Sequence, residues 1–117
     1  MGSVFELNKC GKGSMDFHPL EKEENLFEGY RKVFKVEEIS LLLIQNNAKT
    51  SLIENRCGHF GSELESGRLD ENAIVCPQHG ISFSLETGEI INRPFENADP
   101  IKVFNIVCRD GYVGVIL

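Results

Sequence analysis

The chain is 117 residues long, 41% hydrophobic and 26% charged, which is the size and make-up of one ordinary globular domain. Its longest relevant apolar stretch, Leu41 to Ile44, is strand-sized and far short of the ~20 residues of a membrane-spanning helix. Lys plus Arg number 12 against Asp plus Glu 18, for a formal net charge of −6. That balance argues against nucleic acid, whose phosphates need a basic surface. It suits transient docking on basic patches of other proteins, and equally plain solubility.

Residues 1–14 read unlike the rest. Gly2-Ser3 opens this segment, Gly11-Lys12-Gly13-Ser14 closes it and Met15 follows, the pattern of an expression tag, with a flexible native arm as the alternative. Cys10 is incidental on the tag reading, and residues 15–117 form a single domain. The segment carries two lysines and one glutamate, so the acidity belongs to that domain. Nothing near the start pairs a basic region with an apolar one, and there is no twin-Arg. A cytoplasmic location is expected, where cysteines stay reduced and those beside histidines point to metal rather than disulfides.

Short strands and turns follow. Tyr30 to Val36 alternates with period two, Glu37-Glu38 begins a turn, and Ile39 to Gln45 is apolar enough for a buried strand. Asn46-Asn47 reads as a hairpin turn into Lys49 to Glu54. Ala73 to Cys76, Ile81 to Leu85 and Ile90 to Asn92 are further strands, the last two joined at Thr87-Gly88. Lys102 to Cys108 and Tyr112 to Ile116 flank Asp110-Gly111, the clearest hairpin signal in the chain. No amphipathic helix of three turns stands out. The spacing and turn density predict an all-β sandwich or barrel.

Two of the three histidines sit beside two of the four cysteines. The chain reads Cys57-Gly58-His59, then sixteen residues, then Cys76-Pro77-Gln78-His79-Gly80. Each block offers one thiolate and one imidazole in a loop whose glycines (Gly58, Gly61 and Gly80) allow close backbone approach. Tetrahedral zinc and a [2Fe–2S] cluster with two histidines on one iron both fit such a donor set. Spacing separates them. Zinc ribbons and fingers pair like ligands, whereas here every block carries one of each.

The wider pattern resembles the Rieske motif. Leu64 follows His59 by five residues, and Phe83 and Thr87-Gly88 follow His79-Gly80 at the family's intervals. The resemblance runs from about Phe17 to Leu117 and is similar in length and order to the soluble Rieske-type ferredoxins. It implies stacked antiparallel sheets with a small cluster-binding subdomain of two loops. Carried over by residue, Cys57 and Cys76 hold the inner iron and His59 and His79 the outer iron at the surface. Pro94 falls where the family has a proline-bearing third loop, or is an ordinary turn former.

Departures from the family pattern carry information. Ser62 and Gln78 stand where quinol-oxidising members have a disulfide clamp, and Ile81 and Phe83 where those members have Ser and Tyr hydroxyls. Hydrogen bonds to sulfur raise the potential of a cluster. Their lack implies a potential toward the low end of the Rieske range, near roughly −150 mV. Gly58 replaces the usual Pro or Thr between Cys and His, which bears only on loop stiffness.

The remaining candidates have plain readings. Cys108, on the strand face of Phe104 and Ile106, reads as a small buried hydrophobe, and His18 as a surface histidine. Phe60 and Phe95 read as packing around the loops. Glu21, Glu23 and Glu24 form a solvated face. Glu63, Glu65, Asp70 and Glu71 do so too, with docking near the cluster as a second use.

The resemblance implies a one-electron carrier, not itself an enzyme, between a flavin-dependent reductase and a terminal oxygenase. The alternatives are a small subunit of a nitrite-reductase-like complex and a structural zinc module. An oxygenase catalytic subunit is excluded. It needs a second iron on two histidines and a carboxylate, and only His18 is left over.

Overall fold

Three tight hairpins organise the chain, which the computed structural model describes over residues 16–56, 63–77, 80–92 and 99–117. Each turns on two residues with positive φ: Glu37-Glu38, Asn47-Ala48 and Asp110-Gly111. Such turns match the right-handed twist of the strands they join. Asn46-Asn47, expected as the second of these, is displaced by one residue, which puts Ala48 at φ 63°. The carboxylate of Glu28 compensates, accepting from the backbone N–H of Asn47 (2.6 Å) and of Ala48 (3.2 Å).

The described strands are β1 (Phe17–Lys22), β2 (Arg31–Val36), β3 (Ile39–Asn46), β4 (Lys49–Glu54), β5 (Arg68–Leu69), β6 (Ala73–Val75), β7 (Ser82–Ser84), β8 (Val103–Phe104), β9 (Val107–Arg109) and β10 (Tyr112–Ile116). They form three antiparallel sheets, in the orders β1-β10-β9, β2-β3-β4-β8 and β5-β6-β7. One 3-10 turn, Glu23–Asn25, is the only helical element among the described residues. The all-β expectation holds.

β3 explains the layering. Leu41, Leu42, Leu43 and Ile44 are all fully buried. Because side chains alternate across a strand, Leu42 and Ile44 enter one core with Ile53, Leu64, Ile74, Ile81 and Phe83. Leu41 and Leu43 enter a second with Tyr30, Leu52, Val113 and Val115. The β2-β3-β4-β8 sheet is therefore the middle layer, with the β5-β6-β7 sheet on one side and the β1-β10-β9 sheet on the other.

Three expectations need correction. Lys102 to Cys108 is not one strand: β8 pairs with β4 in the middle sheet, whereas β9 pairs with β10 in another. The chain changes sheets between Phe104 and Val107, which breaks the alternation that grouped Cys108 with Phe104 and Ile106. Cys108 is accordingly exposed on the outer strand β9, not buried. Desolvation around its sulfur and a hydrogen bond to Glu23 nonetheless raise its thiol pKa above the ordinary value. Ile90 to Asn92 likewise makes only a single bridge, Phe83 to Ile90, rather than a strand.

At Gly88 (φ +80°) a Cβ would lie 2.0 Å from the carbonyl oxygen of Ile101. Neither the backbone angle nor the space admits a side chain. The predicted Thr87-Gly88 turn thus lets Ile101 close over the first core, donating its N–H to the Gly88 carbonyl at 3.0 Å.

Candidate metal centre

The small β5-β6-β7 sheet builds the described part of the site. β6 is apolar and buried throughout, its register fixed by Val75 opposite both Arg68 and Ser82. The chain leaves β6 at Cys76, which is 1% exposed and lies in the first core with Leu64, Ile81 and Phe83. Its N–H donates to the Ile81 carbonyl at 2.8 Å, and its own carbonyl accepts from Gly80 N–H at 3.0 Å. These two bonds tie Cys76 to Gly80 and Ile81, the described ends of the second block. Gly80 has φ +70° with open space around it, so conformation rather than crowding calls for glycine there.

Beyond this loop the side chain of Asn92 bonds to two backbone groups. Its Nδ2 donates to the Gly80 carbonyl at 3.0 Å, and its Oδ1 accepts from Ser82 N–H at 2.8 Å.

The first block is held at its flanks. Asn55, 3% exposed, follows β4 directly and accepts from the buried N–H of Leu64 at 3.0 Å. Its backbone N–H and its Nδ2 both donate to Ser40, at 2.9 Å to the carbonyl and 3.3 Å to the hydroxyl. Arg31 on β2 adds a longer tie, its Nη1 donating to the carbonyls of Glu65 (2.5 Å) and Gly67 (2.7 Å). Leu64 then enters the same core as Cys76. The described flanks of both blocks therefore spring from one apolar core.

Of the four ligand candidates, Cys76 is described; Cys57, His59 and His79 lie outside the described residues, as do Gly58, Phe60, Gly61, Ser62, Gln78, Pro94 and Phe95. Among the described residues no three His, Cys, Asp or Glu side chains gather as a metal site. His18, read as a surface histidine, is half-buried on β1 with its Nε2 shielded and 3.4 Å from Glu37 Oε2. Glu63, Glu65, Asp70 and Glu71 are exposed, as read. The groove of about 620 Å³ between Lys22–Glu24 and Asp110–Tyr112 belongs to the β1-β10-β9 sheet, and its described lining includes no residue of either block.

The described surroundings suit a buried soft-ligand centre. Cys76 lies among apolar side chains, where a metal bound to its sulfur would compensate the charge of the ligating thiolate. Ile81 and Phe83, both fully buried, exclude water from that side and offer no side-chain donor to sulfur. Sequence reasoning missed Asn55, Asn92 and Arg31, since a single polar residue, at a strand end or in a loop, carries no periodic signal.

Comparison with known proteins gives the same picture. Residues 16–106 match the Rieske [2Fe–2S] domain family. The chain is 34% identical over 86 residues to the 3-phenylpropionate/cinnamic acid dioxygenase ferredoxin subunit of Photorhabdus laumondii, covering 73% of this chain and 78% of that one. Sphingomonas yanoikuyae B1 ferredoxin superposes with a TM-score of 0.75 at 25% identity, over 86% of this chain and 97% of that one. A chain from the complex of reduced oxygenase and oxidized ferredoxin in carbazole 1,9a-dioxygenase has the same fold, with a TM-score of 0.73 at 24% identity. That match covers 86% of this chain and all of the other.

Proposed function

Because the chain belongs to the Rieske [2Fe–2S] domain family, we propose that it carries single electrons from a flavin-dependent reductase to a terminal oxygenase. The observation that carries this reading is the placement of Cys76, buried at the end of β6 with the flank of the other ligand block in the same core. Cys57 and Cys76 would hold the inner iron, and His59 and His79 the outer. The cluster supplies a one-electron couple. The protein sets its potential and its docking, and the bond chemistry belongs to the oxygenase.

This chain's residues do three things for that couple. Ile81 and Phe83 keep one side dry and donor-free, which favours a low potential. The backbone bonds at Cys76 and Gly80 tie the described ends of the second block together. Exposed Glu63 and Glu65 flank Leu64 and present negative charge to a basic partner surface. The relative from Photorhabdus is named a ferredoxin subunit of a dioxygenase, which favours the carrier over a subunit of a nitrite-reductase-like complex.

Residues 15–117 are the functional domain on this reading. Asp16 and Leu117 exchange backbone hydrogen bonds at 2.9 and 3.1 Å, which fastens the two ends together. The cytoplasm is the compartment this carrier would occupy. Among the described residues no helix is long and apolar enough to cross a membrane.

Iron and acid-labile sulfide analysis, with EPR of the reduced protein, tests the reading. Two irons and two sulfides per chain, with mixed nitrogen and sulfur ligation, are expected. Stoichiometric zinc in protein made with ample iron would overturn it.

A further inference from the structure

We infer that Asn92 is a positioning residue for the second ligand block, acting on His79 through Gly80; the inference rests on the assignment of His79 as a ligand. A carboxamide carries a donor and an acceptor at one tip. Asn92 matches them to the carbonyl of Gly80 and the N–H of Ser82, two backbone groups flanking Ile81. The last main-chain bond among the described residues here lies just before, where Ile91 N–H donates to the Ser82 carbonyl at 2.8 Å. The Asn92 side chain extends that run of bonds to Ser82 N–H and the Gly80 carbonyl.

Gly80 is gripped on both sides as a result. Its N–H is given to Cys76 and its carbonyl is taken by Asn92. The N–H belongs to the peptide that joins His79 to Gly80, so this grip restrains the backbone directly after the assigned ligand. Outer-shell hydrogen bonds that orient a ligand tune the metal they serve.

Asn92 itself is exposed and contributes little to the core. Once it is removed, water can satisfy the freed Gly80 and Ser82 groups. Loss of the side chain should therefore leave the fold standing and act on the loop. Asn46 offers the matching control. Its Nδ2 donates to the carbonyls of Asp70 (2.8 Å) and Glu71 (3.4 Å) in the same subdomain, and it has no hydrogen bond to the described residues of the second ligand block.

The test uses purified cluster-loaded protein and three variants: Asn92→Ala, Asn92→Asp and Asn46→Ala. Asn92→Asp keeps the acceptor for Ser82 but gives up the donor to Gly80. Both Asn92 variants should lose the cluster to a chelator about five-fold faster, the factor one ordinary hydrogen bond is worth. Both should also show broadened g-features in the EPR spectrum of the reduced state. Asn46→Ala should match the wild type in rate and spectrum.

A wild-type spectrum and rate in Asn92→Ala would overturn the inference, and so would an equal effect from Asn46→Ala. A wild-type Asn92→Asp would place the effect at Ser82 and overturn it as well. So would a fall in the far-UV melting temperature of Asn92→Ala that tracks its cluster loss, since that is general support of the fold. Iron and sulfide content of the wild type is measured first. Their absence refutes the ligand assignment, whereas a cluster insensitive to Asn92 refutes the positioning role alone.

Discussion

The hydroxyl of Tyr30 donates to Glu21 Oε2 at 2.8 Å, tying β1 to the start of β2. Glu21 also accepts from Asn25 Nδ2 at 3.0 Å and from Lys22 N–H at 2.9 Å. Asn25 first, then Tyr30 and Lys22, hold its carboxyl at about 2 rather than the ordinary 4.5 by bonding to the charged form. Burial and the facing carboxylate push the Tyr30 phenol upward in turn. A carboxylate depressed on folding stabilises the native state above its unfolded pKa, and that contribution is lost as pH falls from 4.5 toward 2. Replacing Tyr30 with Phe should move the Glu21 midpoint up toward 4.5, as followed by NMR titration of its carboxyl carbon. An unmoved midpoint would show that Tyr30 is not a donor in solution.

Gly88→Ala and Gly111→Ala separate two costs of leaving glycine. Both positions have φ near +80°, but Gly111 has nothing within 4 Å, whereas at Gly88 a Cβ meets the Ile101 carbonyl. Gly111→Ala should cost about 1–2 kcal/mol for the left-handed angle alone. Gly88→Ala should cost about 2 kcal/mol more, from overpacking. Equal losses in thermal melts would mean that Ile101 can move aside.

Phe83→Tyr is expected to raise the reduction potential. Phe83 is fully buried in the core that contains Cys76, and a new hydroxyl there must find an acceptor. Sulfur of the cluster or of a ligand is the acceptor proposed, and bonding to it stabilises the reduced state. Protein-film voltammetry measures the shift. An unchanged potential, with the hydroxyl shown to reach sulfur, would refute the hydrogen-bond account.

Electron transfer to a basic partner should slow with salt. Reversing Glu63 and Glu65 should lower the association rate more than reversing Glu38. Glu38 is the cleaner control within its turn because Glu37 lies against His18. Stopped-flow reduction across a salt series gives the rates, and the visible spectrum checks that the cluster is intact. Rates indifferent to salt and to both reversals would reduce the acidity to a solubility feature.

The sequence displayed its middle layer plainly. The stretch from Ile39 to Gln45, apolar and bounded by turn residues, reads as a buried strand, and the paired blocks around Cys57 and Cys76 announced their chemistry by spacing. What stayed hidden was non-local. Lys102 to Cys108 reads as one strand because alternation cannot report a change of sheet. β5 is two residues long, Arg68–Leu69, too short to show a period. Arg31, Asn55 and Asn92 owe their roles to partners elsewhere in space, such as Glu65, Leu64 and Gly80.

β3 is greasy on both sides, and this removes the usual guard against misalignment. In a strand with one wet face, slipping by a single residue throws its apolar side chains into water, and that penalty locks the pairing. A slip of β3 would only exchange Leu41 and Leu43 for Leu42 and Ile44, leucine-like groups on either side. Alignment must then be dictated from the ends, by the two-residue turns at Glu37-Glu38 and Asn47-Ala48 and by the Glu28 carboxylate clasping the second. An acidic side chain on the surface thereby helps decide which leucines face the half of the molecule that carries Cys76.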